Sequence, residues 1–151
     1  MLAAIVALLV GCGAGAWWQQ RNGRMRAQVT AGSQETGGGA GPLAEAQAMS
    51  SADIGADLGS RATLVQFSSA FCAPCRATRV VLAEVAKMVD GVRHVEIDAE
   101  SRLDLVRRLD VRRTPTTFVL GPDGQVTHRA SGQPRKVDVI AALGAMIEFP
   151  M

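Results

Sequence analysis

Cys72 and Cys75 stand three positions apart in Phe71-Cys72-Ala73-Pro74-Cys75-Arg76. Two thiols at this spacing, opening a helix that follows an apolar strand, form a disulfide that can be made and broken. A helix N-terminus presents free backbone N–H groups and partial positive charge. A thiolate there is stabilised, its pKa falls, and it becomes a nucleophile near neutral pH. The competing reading is half of a zinc site. Zinc wants four ligands, and the globular part adds only His94 and His128, which form no spaced pair. No metal is therefore expected. Cys12 lies far away in an apolar stretch, and three cysteines cannot build a disulfide scaffold.

The elements around the pair follow from periodicity and turn chemistry. Residues 53–58 read as a short helix and 63–67 (Thr-Leu-Val-Gln-Phe) as a β-rich strand. After a loop at 68–70, Cys72 opens a helix running to 89, whose apolar face is Val81, Leu82, Val85, Met88 and Val89. Asp90-Gly91 stops it. A strand at 92–98 and a short amphipathic helix at 101–109 come next, then a strand at 116–120. Gly121-Pro122-Asp123-Gly124 turns the chain into an antiparallel partner at 125–129, and 136–149 is a last helix. The order βαβαββα predicts an α/β fold, a mixed sheet of about four strands flanked by helices.

The 151 residues carry a net charge of +2 and no Tyr. So balanced a charge argues against a nucleic-acid partner, and the core must be built mainly from aliphatic side chains.

Residues 2–18 are uncharged and as a helix would span roughly 25 Å at 1.5 Å per residue. Trp17 and Trp18 close the segment, and Arg21, Arg24 and Arg26 follow. This predicts a single membrane anchor with the domain on the cytoplasmic side, and hence contact with membrane lipid. A cleaved signal lacks the basic n-region it needs. Leu9-Val10-Gly11-Cys12 also resembles a lipobox, which would acylate Cys12 and place the domain outside. Ala3, Ala7, Gly11 and Gly15 share one helix face, a spacing that suits a homodimer through the membrane helix or follows simply from an Ala- and Gly-rich composition. Residues 19–50 read as a basic juxtamembrane segment and a Gly-rich flexible linker. The globular domain is placed at 51–149.

Over that domain the chain resembles the thioredoxin family. The resemblance rests on Cys72-Ala73-Pro74-Cys75 after Leu64-Val65-Gln66-Phe67, on Val95-Glu96-Ile97-Asp98, on Arg113-Thr114-Pro115-Thr116, on the 121–124 turn and on Gly132 before the last helix. It implies a thioredoxin fold and thiol–disulfide exchange, with no cofactor beyond the Cys72–Cys75 disulfide. Together with the physics above, it makes Cys72 the attacking thiolate and Cys75 the resolving one. It implies a cis peptide before Pro115 and a substrate-binding surface of Phe71, Thr114, Pro115 and Gly132, where an extended segment adds as a strand. Partners would be disulfide-bearing proteins and an upstream thiol reductant. This sequence departs from the family where thioredoxins carry a buried Asp, here Gln66, and a nearby strand Lys, here His94; these two are candidate proton-relay residues. The expected activity is a membrane-tethered protein-disulfide reductase. An extracytoplasmic thiol–disulfide protein serving secreted or cytochrome proteins, and a non-catalytic binding module, are the rival readings.

Overall fold

The computed structural model describes residues 23–27 and 47–148. Among these the chain runs β1 (Arg26–Ala27), α1 (Ser51–Ile54), β2 (Ala62–Ser68), α2 (Ala73–Met88), β3 (Val92–Asp98), α3 (Leu103–Arg108), β4 (Thr116–Leu120), β5 (Val126–Ser131) and α4 (Lys136–Glu148). The sheet order is β1-β5-β4-β2-β3. β2 and β3 are parallel, and every other pairing is antiparallel.

All seven residues of β2 are buried. Successive side chains of a strand point to opposite faces, and β2 therefore feeds two apolar layers. Val65 and Phe67 join Met49, Ile54, Ile97, Leu105 and Phe118 on the α1/α3 side. The rings of Phe67 and Phe118 meet edge to face at 5.7 Å, the arrangement their quadrupoles prefer. Leu64 joins Leu82, Val85, Val119, Val139 and Leu143 on the α2/α4 side. Gln66 also lies on that second face, so a polar side chain stands inside an apolar layer.

On α2 the buried positions are Cys75, Thr78, Leu82 and Val85. Val89, four residues beyond Val85, continues this stripe against the core. Met88 does not: it is 61 % exposed, because at three residues from Val85 it falls to the outer side of the stripe. The helix expected at 53–58 is the single turn of α1. Ser50 and Asp53 close a capping box at its start, and Gly55 ends it in the left-handed region. The turn at 121–124 forms as expected, with Gly121 N donating to Gln125 O at 2.9 Å and Gly124 N to Gly121 O at 3.0 Å.

The expected four strands become five because residues 23–27, inside the stretch read as linker, dock on the β5 edge. Gly23 N donates to Ser131 O at 2.8 Å, Arg26 and Ala27 pair with Arg129 and His128, and Met25 packs on the α2/α4 layer. Gly23 is buried with φ +86°, and a Cβ there would stand 1.9 Å from Gln133 O. No side chain fits so close an approach. Upstream of residue 51, Met49 is fully buried and its N–H reaches Gly124 O at 2.9 Å. Residues 2–18, with Cys12 and the small-residue face, lie outside the described residues. Among the described residues no helix is long and apolar enough to cross a membrane.

Gly23→Ala is expected to release the edge strand and leave the rest of the fold intact. Hydrogen exchange checks it: the amides of residues 23–27 lose protection while those of β2 and β4 keep theirs.

Candidate functional site

Cys72 is the N-cap of α2. Its extended backbone lets Sγ accept the N–H of Cys75 at 3.1 Å. Pro74, in the first turn, has no N–H to compete for that sulfur. Cys75, one turn in, is only 2 % exposed, whereas Cys72 is half-buried. The two sulfurs are joined in a disulfide. The outer sulfur thus meets solvent at the positive end of a helix, and the inner one is shielded beneath it. Phe71, just before the pair, is fully exposed.

The antiparallel register brings a second loop to the same end of the sheet. Phe67 at the end of β2 faces Thr116 at the start of β4, so the residues preceding Thr116 lie beside those following Phe67. The Ser69 and Thr114 hydroxyls share a hydrogen bond at 2.8 Å across this gap. The Thr114–Pro115 peptide is cis. Pro115 O accepts the N–H of Gly132 at 2.7 Å, and Gly132 sits at φ +94°. Arg129 supports the loop from below. Its guanidinium donates to Leu109 O and Asp110 O at 2.8 and 2.7 Å and lies 5.1 Å over the Phe118 ring. Cys72, Cys75, Thr114, Pro115 and Gly132 therefore gather at one end of β2, β4 and β5. Arg112, two residues before Thr114, is paired with Asp110 at 2.9 Å.

Gln66 is fully buried beneath this site. Its Nε2 donates to Cys75 O at 2.9 Å and to Ser68 Oγ at 2.7 Å. Ser68 Oγ in turn donates to Glu96 Oε1 at 2.6 Å. The chemistry of the partners assigns the amide: a carbonyl can only accept, and a hydroxyl already donating to a carboxylate must accept from Gln66. Gln66 Oε1 has no hydrogen-bond partner among the described residues. Glu96 is held by Arg79 of α2, whose guanidinium spans both carboxylate oxygens at 2.5 and 2.9 Å.

His94 lies on the same face of β3, one step further from the thiols and opposite Leu64. Its Nε2 is buried without a partner among the described residues. Burial pushes its pKa below the usual 6.5, more than Glu96 raises it, and the Arg79 charge adds to the fall. Burial thus favours the neutral form of His94. Glu96 is the reverse case. Burial works against its charge, but the Arg79 and Ser68 hydrogen bonds and the Arg79 charge prevail and hold it below the usual carboxylate value. Sequence reasoning singled out Gln66 and His94 and missed Glu96, Ser68, Ser69 and Arg79. The usable signal was Glu96 itself, a carboxylate in the strand paired with β2, at the position level with Gln66.

The sequence model of the thioredoxin family matches residues 49–145. Thioredoxin H4-2 of Oryza sativa subsp. japonica is 32% identical over 63 residues, covering 42% of this chain and 48% of that protein. The chloroplastic thioredoxin Y of the same plant is 31% identical over 90 residues, 59% of this chain and 53% of that one. The chain thus spans about half the length of these curated relatives. Among solved structures, a mutant thioredoxin from Halobacterium salinarum NRC-1 superposes with a TM-score of 0.54 at 20% identity, over 60% of this chain and 79% of that one. A chloroplastic thioredoxin z gives 0.54 at 25% identity, over 60% and 81%.

The depressed His94 pKa has a consequence for stability. The unfolded chain binds a proton near pH 6.5 that the folded chain refuses, so stability is lost as pH falls through 6.5 toward the lower folded value. Urea midpoints at pH 7.5, 6.5 and 5.5 are expected to drop in that order. His94→Leu should flatten the drop, leaving the share due to His128, whose pKa burial also lowers.

Proposed function

Because this chain belongs to the thioredoxin family, we propose that it is a protein-disulfide reductase working through Cys72 and Cys75, held at a membrane by residues 2–18 with its domain on the cytoplasmic side. The observation that carries the reading is the graded exposure of the pair. Cys72 is half-open at the N-terminus of α2, and Cys75 is buried one turn inside.

Each step balances. The Cys72 thiolate attacks one sulfur of a substrate disulfide; a Cys72–substrate bond forms and the other substrate sulfur leaves as thiolate. The Cys75 thiol loses its proton and attacks Cys72 Sγ. The Cys72–Cys75 disulfide forms, and the first substrate sulfur leaves. Two electrons and two protons pass to the substrate, which ends as a dithiol. An upstream thiol reductant, oxidised in its turn, restores the Cys72–Cys75 dithiol. The substrate backbone pairs with Thr114 beside cis-Pro115 as an added strand, next to the exposed ring of Phe71 and to Gly132.

A cytoplasmic location suits this direction of electron flow. The cytosolic poise, about −220 to −320 mV depending on method, keeps a dithiol reduced. The docking of Gly23 bears on the tether as well. Gly23 comes five positions after Trp18, a reach of at most about 17 Å when fully extended. The domain would then work close to the lipid surface, on disulfides of membrane or membrane-proximal proteins.

Reduction of insulin by the full chain with dithiothreitol is expected to proceed with both cysteines and to stop in Cys72→Ser. Cys75→Ser should retain partner proteins as mixed disulfides through Cys72; a chain that neither reduces insulin nor traps partners is a binding module.

The tether has its own test. In intact spheroplasts the C-terminus is expected to resist added protease and to stay membrane-bound in Cys12→Ala. Digestion, with loss of attachment in Cys12→Ala, identifies the extracytoplasmic lipoprotein instead.

A further inference from the structure

The reductase chemistry uses two sulfurs and a cis-proline loop, yet the best-connected polar groups of the domain lie behind them. Glu96 belongs to β3, Ser68 and Gln66 to β2, and Cys75 and Arg79 to α2, so three elements converge on one hydrogen-bonded chain. It runs from the Arg79 guanidinium to Glu96, from Glu96 to the Ser68 hydroxyl, from Ser68 to the Gln66 amide and from Gln66 to the Cys75 carbonyl. Arg79 lies one helical turn beyond Cys75 on the same face of α2. Every link but that between Ser68 and Gln66, both in β2, joins two different elements.

We propose that the Glu96–Arg79 pair is a positioning device for the resolving cysteine, locating Cys75 through Ser68 and Gln66 and setting the electrostatic field in which both thiols ionise. The proposal rests on the reductase reading of Cys72 and Cys75. Its physical content is a balance of charge. A carboxylate on this face disfavours a thiolate and a guanidinium favours one, and because the pair is partly open to solvent its field is screened and modest. Held together, the two nearly cancel, and the helix N-terminus alone activates Cys72. Geometry is the second part. Gln66 has two amide protons, and both are committed, one to Ser68 and one to Cys75 O. Without Glu96 the Ser68 hydroxyl is free to turn and donate toward Gln66, and the amide loses the partner that orients it.

The charged and titratable groups around the pair are few. β3 contributes Glu96, His94 and, level with Ser68, Asp98, and α2 contributes Arg79 and the exposed Arg76 next to Cys75. From β2 come only the uncharged Ser68 and Gln66. Burial lowers the His94 pKa, which favours the neutral imidazole, and Glu96→Gln and Arg79→Gln are therefore compared at the same pH points of the thiol titration. Hydrogen bonds and charge from Arg79 hold the Glu96 pKa below the usual carboxylate value, so Glu96 enters that titration as a fixed negative charge.

The experiment uses full-length chains. Equilibration with glutathione measures the dithiol–disulfide equilibrium. Iodoacetamide reactivity against pH, in a Cys75→Ser background, measures the Cys72 thiol. Glu96→Gln keeps the shape and the acceptor for Ser68 but leaves the Arg79 charge uncompensated. It is expected to shift the equilibrium toward dithiol by about threefold or more, which is about 14 mV at 29.6 mV per tenfold, and to lower the Cys72 pKa. Arg79→Gln leaves Glu96 uncompensated and is expected to shift both quantities the opposite way. The double variant should return toward the starting values. A structural tie would act alike in both single variants, through loosening of α2. Shifts of the same sign, or no shift in either, overturn the proposal. Absence of any iodoacetamide-reactive Cys72 would overturn the reductase reading itself, a result distinct from either.

Discussion

Full burial of β2 is the constraint from which the site follows. A strand with no exposed residue must satisfy every backbone N–H and C=O within the sheet, on both of its edges. β3 does this in parallel and β4 in antiparallel register. The two senses have different consequences at the C-terminal end of β2. The parallel partner brings a residue of the same depth, Glu96, level with Gln66. The antiparallel partner brings its own beginning, so Thr114 and Pro115 arrive where Ser69 and the cysteines leave. Disulfide, cis-proline loop and buried polar chain share one end of the sheet because β2 lies between strands of opposite direction.

The polar chain is costly to hold in an apolar layer. A buried amide or carboxylate is tolerated only when hydrogen-bonded or paired. Glu96, partly open to solvent at the edge of the layer, is paired with Arg79 and Ser68, and the fully buried Gln66 meets that condition on its donor side. Its acceptor side, with Thr78 Oγ1 and Thr117 Oγ1, has no partner among the described residues. Thr117 faces Gln66 across the β2–β4 pairing, and Thr78 is one turn beyond Cys75 on α2. The layer beneath the disulfide is thus more polar than the rest of the core, and its apolar part begins at Leu64 and Leu82.

At the other side of the sheet the issue is an edge. β5 would expose unpaired backbone groups, a template for unwanted pairing. Residues 23–27 cover it, and the Gly23 contact with Gln133 ties that cover to the segment following Gly132. The edge that protects the sheet therefore ends beside Gly132, whose N–H meets the cis-Pro115 loop.

Much of this was legible in the chain itself. Cys72, Pro74 and Cys75 mark a helix start through chemistry within four residues. Gly121-Pro122-Asp123-Gly124 marks a turn in the same local way, and the β-rich run at 63–67 marks a strand. Resemblance added the cis peptide at Pro115. The places where reading failed share a cause. Met88 and Val89 both fit a helical stripe, and only packing against the sheet chooses Val89. Arg26 and Ala27 have no strand pattern of their own, and become a strand because β5 has an open edge. Gln66 and His94 were the visible oddities, but the partner that matters to Gln66 is Glu96, thirty positions away in sequence and reached through Ser68. Sequence alone determined the identity of the reacting groups and the local structure that carries them, since those depend on near neighbours. The tertiary structure decided which charge stands behind the thiols and which sulfur is shielded. Those depend on strand register, which is set by burial of residues distant in sequence.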